Sequence, residues 1–170
     1  MRALLLWSIY GLLCLLILSC DPESSAAPPA AGLVGKWKLV DYTGVITTQP
    51  TDGGEARYVD VRTVAPTNYL ITFTEGPRRV TSLGATTLER SARDGSQRDT
   101  VMSAGSIRGT VAWELAGSTL TLQDEDGYTQ DATVVTLNER ELAISYDIRD
   151  STFLPYYLLR SQATQLFERR

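Results

Sequence analysis

Histidine is absent from the 170 residues. That excludes Ser-His-Asp and Cys-His triads, imidazole acid–base catalysis and any histidine-bearing zinc site. Cysteine is confined to Cys14 and Cys20. Basic charge is short as well: 16 Lys and Arg face 20 Asp and Glu, a net charge of −4, which speaks against a nucleic-acid partner. Gly-x-Ser-x-Gly nucleophile motifs and phosphate-cradling glycine loops are missing. No stretch after the first 32 residues keeps a helical period. What remains is a chain of single-domain length whose 43% apolar content suffices for one core.

The one long apolar run comes first. Residues 3–18 follow a lone Arg2 and end in Ile17-Leu18-Ser19-Cys20. A basic start followed by an apolar run slightly short for a membrane span has the layout of a secretory signal. Its end resembles the bacterial lipobox, in which a small residue precedes a cysteine that is acylated and becomes the mature N-terminus. Bulky Leu13 makes Cys14 a poor competitor. The reading is thus a signal peptide over 1–19, a lipid-bearing Cys20, and a flexible tether over 20–32 that holds Pro22, Pro28 and Pro29. Cleavage removes Arg2 and Cys14, leaving a charge of −5 and one acylated cysteine. No disulfide or thiolate metal site is then possible within a mature chain.

From Leu33 onward alternation at period two recurs. Trp37 and Leu39 oppose Lys36 and Lys38; Val59 and Val61 oppose Tyr58, Asp60 and Arg62; Tyr69, Ile71 and Phe73 oppose Leu70, Thr72 and Thr74. The pattern continues through Arg78-Arg79-Val80, Ile107 to Leu115, Leu120 and Leu122, Val135 and Leu137, and Leu142 to Ile148. Residues 153–160 are apolar on both faces, as for a strand covered outside by the tail through Leu166 and Phe167. Ala116-Gly117-Ser118, Asp126-Gly127 and Asn138-Glu139 read as tight turns. Short turns between consecutive strands predict an all-β, antiparallel, up-and-down barrel of eight or nine strands over 33–170. The last strand should pair with the first, and residues 43–56 and 86–99 should be the two long loops that shape its mouth.

Gly32-Leu33-Val34-Gly35-Lys36-Trp37-Lys38-Leu39-Val40 resembles the opening of lipocalin-like domains in small bacterial lipoproteins, which place a Gly-x-Trp on the first barrel strand. Tyr69-Leu70-Ile71-Thr72-Phe73, the run from Trp113 to Leu122, and Glu141-Leu142-Ala143-Ile144-Ser145-Tyr146 resemble later strands of the same family. The resemblance implies a calycin-type barrel closed structurally by an arginine stacked on Trp37. The position that matches best is Arg160, in Tyr156-Tyr157-Leu158-Leu159-Arg160. The Thr-Asp-Tyr loop motif of the better-known lipocalins is absent.

Chemistry-bearing patterns are few. Asp124-Glu125-Asp126-Gly127 is misphased for a calcium loop and reads as a solvated hairpin turn. Arg78 and Arg79, adjacent on a strand, face opposite sides. No metal site, no cofactor and no catalytic residue is expected. The candidate residues are the inward aromatics Trp37, Tyr69, Phe73, Trp113, Tyr146 and Tyr157, which either fill the barrel or line a pocket. The expected function is that of a non-catalytic lipoprotein of the bacterial cell envelope. It would be anchored to a membrane (the outer membrane foremost, periplasmic or surface-facing) and bind a small hydrophobic or amphipathic ligand. The alternative is a protein-interaction or inhibitor module acting on an envelope partner through its loops.

Overall fold

The computed structural model describes residues 30–170, except 66, 104–106, 108 and 153–154. The signal peptide, Cys20 and most of the tether lie outside the described residues. A helical turn, α1 (Ala30–Leu33), precedes eleven strands: β1 (Gly35–Pro50), β2 (Arg57–Thr63), β3 (Leu70–Glu75), β4 (Arg78–Leu83), β5 (Thr86–Ala92), β6 (Arg98–Ser103), β7 (Thr110–Ala116), β8 (Thr119–Gln123), β9 (Thr129–Leu137), β10 (Glu141–Asp150) and β11 (Tyr157–Arg169). The end of the expected tether, 30–32, lies in α1, where Ala30 packs against the core and the Gly32 carbonyl accepts from Arg169.

Pairing follows the order β1-β3-β4-β7-β8-β9-β10-β11 and returns from β11 to β1, closing an antiparallel barrel of eight strands. The other three strands extend it. The first half of β1 pairs with β3 and its second half with β2, while β4 follows β3 and β5 follows β2. Thus β2–β3, β4–β5 and β6–β7 act as three long strands, each interrupted midway, within one up-and-down meander. Above the interruptions β6-β5-β2-β1-β11-β10 form an upper sheet that rises from the closed base. Glycine permits this departure at two places. Gly84 breaks β4 from β5 at φ +86°, where a Cβ would lie 2.4 Å from the Asn68 carbonyl oxygen. Gly44 stands where β1 leaves the base, and a Cβ there would meet the Ala163 Cβ at 2.9 Å.

Four expectations need correction. Residues 43–50 continue β1, and 86–99 contain β5 and the start of β6; the β-branched run Val45-Ile46-Thr47-Thr48 outweighs the polar composition that suggested loops. The last strand does pair with the first, yet Leu158 and Leu159 face Gln49 and Thr48, while Trp37 faces Arg169. The strand therefore continues to Arg169, and Phe167 belongs to the core instead of covering an outer face. Finally, Val135 is 62% exposed and Val134 is buried. A bulge in β9 opposite Ala143 and Ile144 adds one residue, so Val134 and Leu137 turn inward and Val135 turns out.

Candidate ligand-binding surface

At the base the barrel interior is solid. Trp37, Tyr69, Phe73, Trp113 and Tyr146 are all buried there among Leu33, Leu39, Ile71, Leu120, Leu142, Ile144 and Phe167. The polar atoms of three of them are satisfied locally. Trp37 Nε1 donates to the Leu33 carbonyl at 2.8 Å, Trp113 Nε1 to that of Thr74 at 2.9 Å, and the Tyr69 hydroxyl to that of Ile107 at 3.0 Å. Burial raises the pKa of Tyr69 to about 12. The Phe73 and Trp113 rings meet edge to face at 5.7 Å, the arrangement favoured by ring quadrupoles. Five of the six expected inward aromatics are thus core. Tyr157 is the exception, half-buried on the rim of a surface cavity.

Arg160 does not close the barrel. It pairs on the outer face with Asp147, Nε to Oδ1 at 2.8 Å. The closing cation is Arg169, whose guanidinium lies 4.2 Å from the Trp37 ring centroid and donates to the Val34 and Gly32 carbonyls at 2.9 and 2.6 Å. The reason is register: Arg169, not Arg160, is the residue of β11 that faces Trp37.

The upper sheet supplies what the base lacks, an apolar face that remains partly open. Residues directly opposite in an antiparallel ladder share a face. The ladders therefore place Ile46, Val59, Ala92, Leu88, Val101 and Ile148 on the side continuous with Tyr146 and the core. A recess of about 140 Å³ opens on this face between Ile46, Val59, Ala92, Arg90 and Gln97. Arg90 and Asp99 lie on it as a bidentate ion pair. Nearer the base on the same face are Thr63 and Thr86, whose buried hydroxyls have no hydrogen-bond partner. At the tip of the sheet a surface cavity of about 900 Å³ is lined by Pro50, Arg57, Tyr58, Arg93, Tyr156 and Tyr157 among others.

The opposite face is stitched by charge. Glu89 on β5 accepts from both Arg62 on β2 and Arg98 on β6, at 2.7 and 2.6 Å. Arg93 pairs with Asp60 at 2.7 Å and lies over the Tyr58 ring. Hydrogen bonds from their arginines hold Asp60, Glu89, Asp99 and Asp147 below the usual carboxylate range. A carboxylate with a lowered folded-state pKa stabilises fully above its unfolded value, near 4, and loses that contribution as pH falls through the folded value. Acidification below about pH 4 should therefore loosen β2, β5 and β6 before the base. Hydrogen exchange at acid pH should show faster amides in β5 than in β8, and equal acceleration would contradict it.

Asp124 Oδ1 accepts from the Asp126 and Tyr128 backbone amides, which makes the acidic cluster a self-satisfied turn. Among the described residues no group of three or more Cys, Asp or Glu is placed to hold a metal. Sequence reasoning missed Arg169 and the strip from Ile46 to Val101; the β-branched runs in β1 and β2 were the available signal.

A closed eight-stranded antiparallel barrel with a filled base and an open upper sheet defines a calycin-type binding fold. The family model for the lipocalin-like domain matches residues 33–144, and the chain belongs to that family. Strand β11, beyond the matched span, completes the barrel. No curated protein and no solved structure matches the chain.

Proposed function

We propose a ligand-binding role for this barrel, in keeping with lipocalin-like domains, which are in general binding proteins. We propose that this chain is a lipid-anchored, extracytoplasmic member that takes up a small amphipathic molecule on the inner face of its upper sheet. The carrying observation is the half-open apolar strip through Ile46, Val59 and Val101, with two unpartnered hydroxyls, Thr63 and Thr86, on the same face. The apolar strip suits an acyl chain or ring, and the hydroxyls suit a polar group at its end. Anchoring rests on Ser19-Cys20 behind the apolar run, and the cell envelope follows as the location.

Native mass spectrometry of the domain from its own host should retain a small molecule. Ala92→Trp, which fills the recess without touching the base, should abolish retention while leaving the unfolding midpoint in urea nearly unchanged. Retention by the filled variant would move the ligand elsewhere. A second reading, docking of an envelope protein, is favoured by Tyr156, 77% exposed at the tip. Aromatic residues of this kind anchor interfaces.

A further inference from the structure

Resting on Cys20 as the anchor, we propose that the base of the barrel is the surface turned toward the membrane. It meets anionic lipid headgroups, and the open end of the upper sheet points away from the bilayer that holds the protein.

The chain enters at the base. Trp37, four residues after the end of α1, faces both Ile71 and Arg169 there, whereas Pro50 ends β1 at the opposite tip, against Tyr157. Ten residues separate Cys20 from Ala30, a reach of roughly 35 Å in any conformation and of roughly 18 Å on average as a coil. The sixteen residues of β1 run roughly 50 Å. At the tilt usual for an eight-stranded barrel that is about 35–40 Å along its axis. Turning the open end to the bilayer needs the base a whole barrel length away from it. Only a fully stretched tether approaches that.

Charge favours the same orientation. The turns on the open side, 51–56, 93–97, 124–128 and 151–152, carry six carboxylates and one arginine, Arg93, which is paired with Asp60, and Arg57 and Arg98 stand next in. At the base the turn 76–77 with the first two residues of β4, and the turn 138–140, hold Arg78, Arg79 and Arg140 against Glu139, with Lys36 and Arg170 beside them. Glu75, Glu141 and Glu168 stand next in from these positions. Every ion pair among the described residues lies in the upper sheet, and none ties Lys36, Arg78, Arg79, Arg140 or Arg170. The base cations and glutamates nearly balance, so an anionic leaflet repels the acidic open end far more than the base, whose arginines and lysine are free to meet headgroups within about one Debye length, roughly 8–10 Å. Ligand exchange then takes place with whatever faces the open end, not with the anchoring bilayer.

The test uses the mature protein in phosphatidylglycerol nanodiscs doped with a gadolinium-chelating lipid, read by amide NMR. Signals of Gly117, Ser118 and Glu139 should be lost, while those of Gly53, Gly54 and Gly95 persist. Loss at the second set, or equal loss at both, overturns the proposal. The triple variant Arg78→Glu, Arg79→Glu, Arg140→Glu should weaken this contrast to that seen in phosphatidylcholine discs; an unweakened contrast overturns the headgroup contact. Failure of the anchor reading is separately visible. Cys20→Ser made in the host would then be processed and retained on membranes. The orientation would still be decided by coupling the Cys20 thiol, the only one left without residues 1–19, to a maleimide lipid.

Discussion

Trp37→Ala should cost about 3–5 kcal/mol, the range for removing a large aromatic from a packed core. The side chain is fully buried, and it ties three parts of the chain together. Its indole donates to Leu33 in α1, its backbone faces Ile71 on β3, and its ring carries Arg169 on β11. Truncation opens a cavity and leaves the Leu33 carbonyl without this donor. Urea unfolding at a constant slope is the measurement. A loss below about 1 kcal/mol would falsify the view that Trp37 organises the base.

Arg169→Ala should cost about 3 kcal/mol, from two charge-assisted hydrogen bonds and a cation–π contact on a buried ring. Arg160→Ala should cost less than about 1 kcal/mol, as for other exposed ion pairs. Arg169→Lys should recover only part of the loss, because an ammonium cannot fork to the carbonyls of both Gly32 and Val34. A double-mutant cycle with Trp37→Phe separates the ring contact from the hydrogen bonds. Equal losses at positions 160 and 169 would contradict the assignment.

Much of the barrel was legible because period-two alternation is a local signal. Trp37 and Leu39 against two lysines, Ile71 and Phe73 against two threonines, and Leu120-x-Leu122 each declare an inner face without reference to any partner strand. The meander was legible from its short turns. What escaped depends on partners far along the chain. A bulge at Val135 is invisible until β9 is laid on β10. The choice between Arg160 and Arg169 is a matter of register across the whole of β1 and β11. The upper strands were mistaken for loops because their outer faces are charged or polar: Thr87, Glu89 and Ser91 on β5 alternate with Thr86, Leu88 and Arg90, so composition alone shows little contrast. Whether the inward aromatics fill or line the barrel was likewise undecidable from spacing, since both outcomes need the same alternation.

The ladder between β1 and β11 has a kinetic side. It joins Trp37 to Arg169, 132 residues apart in the chain, whereas β3–β4, β7–β8 and β10–β11 are formed by near neighbours. Loop-closure entropy opposes distant contacts until nearer ones have shortened the effective loop. The hairpins should therefore form early and the seam between β1 and β11 last. Until it forms, two long strands remain unpaired along one edge, with the Trp37 row uncovered. A chain emerging from its N-terminus cannot hide that edge before its final strand has arrived, so the interval between the appearance of β1 and that of β11 is when the protein is most exposed to aggregation.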